Sequence, residues 1–187
     1  VVSRARRRTL LRPSEELVVP PVPEAAEWDA MPRRVVDPPS RQAVNVVVPV
    51  YRSLRHVAAT LQSVLTARSE TTFECVVVDD CSPEPEVSAL LRDLAASGHI
   101  RLLVNDKNLG FVRSVNRGMG HNTHRDVVLL NSDVLVHDGW LDRLMAPLRD
   151  DPAIATVTPF SNNATIASYP NFALDNNFEL EVGSDEI

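Results

Sequence analysis

The sequence has little cysteine and no long hydrophobic segment, and both absences exclude classes of protein. Its two cysteines, Cys75 and Cys81, are too few for a disulfide framework and lack the CxxC spacing of a metal or redox pair. No apolar run approaches the roughly 20 residues needed to cross a bilayer. The 25 acidic residues exceed the 19 basic ones, and the net charge of −6 disfavours a general nucleic-acid binder. Unpaired thiols and the lack of a leader-type apolar core favour a reducing, cytoplasmic location.

Wholesale disorder is also excluded, because 44% of the 187 residues are hydrophobic, which is near the globular average. This length suits one domain of ordinary size with some additional chain. The sequence begins at Val1 without a methionine and ends at Ile187 in an acidic stretch. We therefore expect it to be part of a longer protein.

The first 42 residues differ in composition from the rest of the chain. They hold seven of the 14 prolines together with eight arginines, and so many prolines leave no apolar period. We predict that residues 1–42 form a linker or arm, with a short helical turn near Glu24–Ala30 and Trp28 as an anchor on a neighbouring domain. The cluster Arg4–Arg8 is most simply a solvated charge run, and it leaves open a peripheral contact with an anionic membrane surface.

From Ala43 onward, apolar strands alternate with amphipathic helices. Strands are predicted where β-branched residues run together, and helices where apolar residues recur with a helical period. The predicted strands are residues 44–50, 73–78, 100–104, 127–130 and 154–158, and the helical stripes between them lie at residues 54–65, 87–94, 112–119 and 141–148. This alternation predicts an α/β fold, a Rossmann-like and mostly parallel sheet with helices on both faces.

Polar side chains follow four of the predicted strands. They are Tyr51 and Arg52 after the first, Asp79 and Asp80 after the second, Asn105 to Gly110 after the third, and Asn131 to Asp133 after the fourth. Ligands of open parallel sheets bind beyond the carboxyl ends of the strands. We therefore predict a ligand site that includes a cation at this edge of the sheet.

The glycine-rich fingerprints of two large nucleotide-binding classes are absent. There is no GxGxxG after the first strand and no GxxxxGK[ST] anywhere, which excludes a dinucleotide dehydrogenase of the usual kind and a P-loop enzyme. The phosphates of a bound nucleotide would need another source of positive charge. A divalent cation on Asp133 is one source, since hard cations take carboxylate oxygens and bridge phosphates. Lys107 and Arg113 are others.

Four segments together resemble glycosyltransferase family 2. They are Val46–Tyr51, Val76–Ser82, Asn108–Gly118 and Leu129–Asp133, and the later stretch Thr158–Ile166 resembles members associated with bacterial surface polysaccharides. The resemblance covers about Asn45 to Phe172. It implies the A-type glycosyltransferase fold, with residues 43–175 as its nucleotide-sugar-binding half. It also implies transfer of a sugar from a nucleotide-sugar to an acceptor, mostly with inversion at the anomeric carbon.

The resemblance implies roles for the residues that match the first two motifs. Tyr51 would pack on the nucleobase, which offers a flat π face, beside backbone contacts from Pro49 and Val50. Asp80 would accept the imide hydrogen of a uracil-like base. Asp79 would lie near the base or the ribose, and the alternative is that it caps the next helix.

The third motif implies further nucleotide contacts. Asn108, Gly110 and Asn116 match an Asn-x-Gly…Asn-x-Gly pattern, in which Gly110 would allow close approach of the backbone to the ligand. Asn116 would reach back from the helix toward the nucleotide, or would pack within the helix layer. Arg113 would reach a phosphate, or would lie in solvent.

Asn131-Ser132-Asp133 occupies the place of the family's DxD motif, with Asn in the first position. Asn131 and Ser132 are therefore assigned to the nucleotide site and Asp133 alone to the metal, with donor phosphates and water completing the coordination of Mn²⁺ or Mg²⁺. The implied partners are a UDP-, dTDP- or GDP-linked sugar and a glycan or lipid-linked acceptor. A cytoplasmic place of action leaves open the inner face of the membrane.

The family's general base is a carboxylate in the acceptor half, too far beyond the DxD position to fall within this chain. We expect residues 176–187 to begin that half, and the fragment to bind the donor without transferring the sugar alone. Two alternatives stay open. One is a non-catalytic nucleotide-binding or scaffold module with the same fold, which Asn131 favours. The other is a nucleotidyltransferase, which would be expected to carry a Gly-rich, basic loop after the first strand.

Overall fold

A computed structural model describes residues 19–35, 43–160 and 167. The strands within these residues are β1 (Val44–Val50), β2 (Phe73–Asp79), β3 (Arg101–Val104) and β4 (Val127–Leu129). The helices are α1 (Ala25–Asp29), α2 (Leu54–Thr66), α3 (Pro85–Ala96), α4 (Phe111–Met119) and α5 (Trp140–Asp150). Residues 19–143 form one compact unit, and the described residues from Leu144 onward belong to a second.

The four strands form one parallel sheet in the order β3-β2-β1-β4. β1 and β2 pair along their whole lengths, from Val44 opposite Phe73 to Val50 opposite Asp79. These two central strands are buried almost throughout, which explains why their sequences are continuous apolar runs rather than alternating ones. The strand order reverses between β1 and β4, and in sheets of this kind the ligand crevice opens at that point.

Helices pack on both faces of the sheet. α4 lies on the face that carries Val47 and Val78, where a Cβ added to Gly118 would overlap Val47. α3 lies on the opposite face, since Ser88 of this helix donates a hydrogen bond of 2.7 Å to Asp79, the neighbour of Val78 in the strand. The predicted fold class, a parallel sheet between helices, is therefore confirmed.

Residues 19–35, part of the predicted arm, contact the sheet. Helix α1 forms at the predicted helical turn, and Trp28 and Met31 are buried. The backbone of Arg34 bridges two elements, because its N–H donates to His99 O at 3.2 Å and its carbonyl accepts from Cys75 N at 3.1 Å. Its guanidinium lies 4.4 Å from the ring centroid of Phe73. This part of the arm is thus attached through backbone hydrogen bonds, and the boundary at residue 42 stays a prediction.

The predicted fifth strand at Ile154–Thr158 is wrong. These residues form no strand in the described part of the chain, and they are exposed or half-buried. Their β-branched composition stabilises a strand only on a paired, half-buried surface, and their backbone has no such pairing. Three groups of predicted features lie outside the described residues: the Arg4–Arg8 cluster, most of the Thr158–Ile166 stretch, and residues 176–187.

Among the residues that the structure describes, no helix is long and apolar enough to cross a bilayer.

Candidate functional site

A cleft of about 660 Å³ opens at the carboxyl edge of the sheet, a volume in the range of small-molecule sites. Its walls come from the ends of four strands. The lining residues are Pro49, Val50, Tyr51, Arg52, Ser53, His56, Asp80, Asn108, Gly110, Phe111, Ser114, Asn131, Ser132 and Asp133. Nine of the twelve residues that the sequence analysis assigned to the site are among them.

Asp80 forms the floor of the cleft and accepts several hydrogen bonds. Oδ1 accepts from the backbone N–H of Leu109 at 2.8 Å and from Asn105 Nδ2 at 2.7 Å, and Oδ2 accepts from the N–H of Gly110 at 2.8 Å. Burial alone would raise the pKa of Asp80, but hydrogen bonds from Leu109, Asn105, Gly110 and Ser114 outweigh it and lower the pKa below its usual value. Asp80 is therefore ionised and can act only as an acceptor.

The same contacts show why Gly110 is a glycine. It precedes helix α4 with φ +82°, a left-handed conformation that other residues rarely adopt. This conformation aims its N–H at Asp80 Oδ2, while Asn108 Oδ1 also accepts from it at 3.0 Å. Asp80 thus fixes the entry to α4 as well as facing the cleft.

Tyr51 stands at the end of β1 beside Arg52, whose guanidinium carbon is 4.9 Å from the ring centroid. Hydrogen bonds with Asn108 and Arg52 lower the pKa of the Tyr51 hydroxyl. A base stacked on this ring would therefore lie next to a positive charge. Arg52, which the sequence places at this edge of the sheet without a role, supplies positive charge to the cleft, and His56 lines it without having been predicted. The predicted cations Lys107 and Arg113 do not line the cleft.

The turn between β1 and α2 is held in a strained conformation. Ser53 has φ +72° without being a glycine, a state that costs about 1–3 kcal/mol and needs support from its surroundings. Glu84 supplies that support, because its carboxylate accepts from Ser53 N at 3.0 Å and from Leu54 N at 3.2 Å. Ser53 Oγ also lies 2.6 Å from His56 Nδ1. No pattern in the sequence links Glu84 to a turn 30 residues away.

Asp79 faces away from the cleft, although it adjoins Asp80. The side chain of Asp79 is 2% exposed and accepts from Ser82 N at 2.8 Å and from Ser88 Oγ at 2.7 Å. Asp79 therefore does not line the cleft, where a contact with the base or the ribose is expected. It does not cap the next helix either, because the N-cap of α3 is Glu84 and no side chain caps that end; its hydrogen bonds instead hold the turn before α3 and Ser88 within it. Arg113 and Asn116 are exposed on α4 and do not line the cleft either.

Asn131, Ser132 and Asp133 form the wall that follows β4. All three are at least partly exposed to the cleft, and they offer amide, hydroxyl and carboxylate oxygens, which are the donors that hard divalent cations prefer. Among the described residues, no group of three or more His, Cys, Asp or Glu side chains could hold a metal ion. The donor set therefore fits a cation that takes most of its ligands from phosphates and water.

Fold and cleft together define a class: an α/β protein of the A-type glycosyltransferase fold, with a cleft at the carboxyl edge of its parallel sheet. The family model described as "Glycosyl transferase family 2" matches residues 45–180. The chain belongs to this family.

Among curated proteins, the chain is similar to "Chondroitin synthase" of Escherichia coli, with 24% identity over 77% of this chain and 22% of that protein. It is also similar to "Succinoglycan biosynthesis protein ExoO" of Rhizobium meliloti (strain 1021), with 34% identity over 54% of this chain and 28% of that protein. The chain therefore spans about a fifth to a third of the length of these relatives.

A solved structure supports the fold independently of sequence identity. The chain matches the "Crystal structure of GalNAc-T7 with UDP, GalNAc and Mn2+" with a TM-score of 0.51 and 19% identity, over 59% of this chain and 21% of that one.

Proposed function

We propose that this chain is the donor-binding half of an inverting, metal-dependent glycosyltransferase. The observation that carries the proposal is the convergence of four strand ends on one cleft. That cleft joins an aromatic ring at Tyr51, an ionised acceptor at Asp80 and oxygen donors at Asn131–Asp133. A site for a nucleoside diphosphate needs these three kinds of group. The ring stacks on the base, the acceptor binds the hydrogen-bonding edge of the base, and the oxygen donors hold a cation for the phosphates.

In this proposal different strand ends recognise different parts of the donor. Tyr51 stacks on the nucleobase, and Asp80 accepts its imide hydrogen. Arg52, Pro49 and Val50 also line the cleft, next to Tyr51 in the sequence. Asp133 follows β4, which lies on the other side of β1 from β2, and there it would meet the diphosphate.

A divalent cation, Mn²⁺ or Mg²⁺, would be held by Asp133 together with the donor phosphates and water. When bound, it would neutralise the charge of the leaving diphosphate. The donor oxygens of Asn131–Asp133 support this assignment, and the GalNAc-T7 structure named above was determined with UDP and Mn²⁺. The relatives named for chondroitin synthesis and succinoglycan biosynthesis support a glycan acceptor.

The proposal leaves the general base outside this chain. A base needs a pKa near the working pH, whereas hydrogen bonds lower the pKa of Asp138, chiefly from the backbone of Arg68. Burial would raise the pKa of Asp142, but hydrogen bonds from Thr71, Glu70 and Ser69 lower it overall. These two acids that follow Asp133 are therefore unsuited to the role, and we propose that the chain binds the donor without transferring the sugar alone.

A cytoplasmic place of action is part of the same proposal. Both cysteines are unpaired, and Cys75 is buried within β2. Free thiols of this kind are usual in a reducing compartment.

The proposal is tested by calorimetric titration of UDP into the chain and into Asp133→Ala, each with Mn²⁺ and with a chelator. We expect Mn²⁺ to tighten UDP binding by the parent chain. In Asp133→Ala we expect the affinity with Mn²⁺ to fall by about ten- to a hundredfold, the scale of a lost charge-assisted contact. Asp93→Ala, an exposed acid on α3, is the matched control. Equal affinity of Asp133→Ala and the parent would contradict the metal role.

One alternative keeps specific support. Asn131 favours a non-catalytic nucleotide-binding module, because the proposed metal site has one negative charge fewer with asparagine than with the aspartate of the family's DxD motif. Such a module would bind UDP equally with Mn²⁺ and with the chelator, and a longer chain with the acceptor half would not transfer sugar. The nucleotidyltransferase alternative gains no support, since the family model matched is one of glycosyltransferases.

A further inference from the structure

Asn105, the first residue after β3, lies beneath the cleft without lining it. It is 2% exposed, and its backbone N–H donates to Asp79 O at 2.9 Å. Its side-chain amide donates to Asp80 Oδ1 at 2.7 Å and to Ser114 Oγ at 2.9 Å. Its own Oδ1 accepts from Arg117 Nη1. A buried amide with both of its ends bonded has one fixed orientation.

The charges around Asn105 determine that orientation. Arg117 can only donate hydrogen bonds, and the ionised Asp80 can only accept them. The amide must therefore turn its oxygen to Arg117 and its nitrogen to Asp80, since the flipped amide would set like against like at both ends. Arg117 is itself held in place, because Nη1 also donates to Val104 O at 2.6 Å.

This arrangement holds the Asp80 carboxylate at both of its oxygens. Oδ1 accepts from Asn105 and Leu109, and Oδ2 accepts from Gly110. Ser114, which accepts a hydrogen bond from Asn105, also hydrogen-bonds to this carboxylate. Without the Asn105 amide, Oδ1 would lose its side-chain amide donor, and the carboxylate would be held less firmly in the orientation that faces the cleft.

We propose that Asn105 is a positioning residue for nucleobase recognition, which orients the Asp80 carboxylate toward the base edge, and that Arg117 fixes the Asn105 amide. The inference rests on the proposed contact between Asp80 and the imide N–H of the base. It adds a chain of three side chains, Arg117 to Asn105 to Asp80, that runs from the exposed surface of α4 to the cleft.

The test compares UDP with 3-methyl-UDP, in which a methyl group replaces the imide hydrogen. The dissociation constants of both are measured by calorimetry for the full chain and for Asn105→Ala. We expect the parent to prefer UDP. In Asn105→Ala we expect UDP affinity to fall by about tenfold, as for the loss of a hydrogen bond to a charged group, and 3-methyl-UDP affinity to change far less. The preference for UDP would then collapse.

A purely structural role would give a different result, and Asn45→Ala is the matched control. Asn45 is also a buried asparagine with a bonded side chain, but it lies at the opposite end of the sheet. We expect Asn45→Ala to keep the preference for UDP even where stability falls. If Asn105→Ala also keeps the parent's preference, the inference is overturned while the role of Asp80 stands. If the parent shows no preference for UDP, both are overturned.

Arg117→Ala is the second test variant, for use if Asn105→Ala does not fold. Arg117 is exposed on α4, so its replacement should be tolerated better than that of the buried Asn105. Its loss removes the donor to Asn105 Oδ1 and leaves the amide held by Asp80 and Ser114 alone, and we expect the preference for UDP to fall by about threefold, as for one neutral hydrogen bond. Arg92→Ala, an exposed arginine on α3, should leave the preference unchanged. An unchanged preference in Arg117→Ala would overturn the role of Arg117.

Discussion

The two ends of the sheet use the same kinds of polar residue in opposite ways. At the amino end, Glu74 of β2 is 2% exposed and pairs with Arg125 at 2.5 Å and with Arg101 at 2.9 Å. Asn45 of β1 completes the group, since its Oδ1 accepts from Arg125 at 2.9 Å. At the carboxyl end, Asp80 and Asp133 face an open cleft.

The difference shows what distinguishes a structural carboxylate from one that is available to a ligand. It is whether the carboxylate is paired with an arginine, and not whether the residue is Asp or Glu. Glu74 has both oxygens occupied by arginine side chains, so it links β2 to the first residue of β3 and to the loop before β4. Asp80 is also buried, but its hydrogen-bond donors are neutral amides and a hydroxyl, and it lines the cleft. We therefore expect substitutions at the amino end to change stability, and substitutions at the cleft to change binding.

The largest effect is expected for Glu74→Ala. This change leaves Arg125, whose side chain is 0% exposed, without its buried carboxylate. Breaking a buried ion pair from one side costs about 3–5 kcal/mol of unfolding free energy, a large share of the stability of an ordinary domain. Urea unfolding followed by circular dichroism measures this loss.

The control for Glu74 is Arg68→Ala, which breaks an ion pair with Asp138 on the surface. The side chains of that pair are 88% and 47% exposed, and exposed pairs contribute little to stability. Similar unfolding free energies for the two variants would contradict the contrast between buried and exposed pairs.

A smaller effect is expected for Gly118→Ala on α4, and it should lower both stability and UDP affinity. The new Cβ would overlap Val47 and lie 3.2 Å from Val78 Cγ2, so α4 must move away from the sheet. Overpacking of this kind costs about 1–3 kcal/mol. Because α4 also carries Ser114 and begins at the Asp80 contact, we expect UDP affinity to fall together with stability.

Gly120→Ala is the comparison for Gly118→Ala. There the nearest atom to a new Cβ is Asn116 O at 3.3 Å, and a smaller loss is expected in both measurements. If Gly118→Ala destabilised the protein but bound UDP as tightly as the parent, binding at the cleft would not depend on how α4 packs on the sheet.

The contrast between the two ends also shows how far the sequence could predict the structure. The apolar runs of β1 and β2 were sufficient to locate both strands, because strands buried on both faces need no alternation. A cleft lies at the carboxyl edge, where the rule for parallel sheets predicts a ligand site. Alternation along a strand separates Asp79 from Asp80, since successive residues at a strand end point to opposite faces, although the two acids are adjacent in the sequence.

Other features depend on contacts between residues far apart in sequence. In the sequence, Glu74 is a single acid within an apolar run. Its partner Arg125 lies 51 residues later in a loop, so the sequence does not show that the two residues pair. The fifth strand was predicted from composition alone, without a neighbour to pair with. The support of Ser53 by Glu84 and the orientation of Asp80 by Asn105 likewise arise only when the strand ends come together.

The smallest effect is expected for the pH dependence of stability at Asp142, an acid at the start of α5 that lies outside the cleft. Asp142 accepts from Thr71 N and Oγ1 at 2.8 and 2.6 Å and from Glu70 N at 2.9 Å, so it ties α5 to the segment that leads into β2. Burial raises its pKa, but these hydrogen bonds outweigh burial and lower it overall. A carboxyl whose pKa is lowered by folding stabilises the protein above its unfolded pKa of about 3.9, and this stabilisation is lost as the pH falls through the folded pKa.

We therefore expect Asp142→Asn to be less stable than the parent at pH 7 and to approach the parent's stability as the pH falls below about 4. Urea unfolding at both pH values measures the change, with Asp93→Asn as the control for an exposed acid. UDP affinity at pH 7 should stay at the parent's value, because Asp142 does not line the cleft. A loss of UDP affinity in Asp142→Asn would mean that this loop contact positions the cleft as well, and the separation of the two ends would then fail at α5.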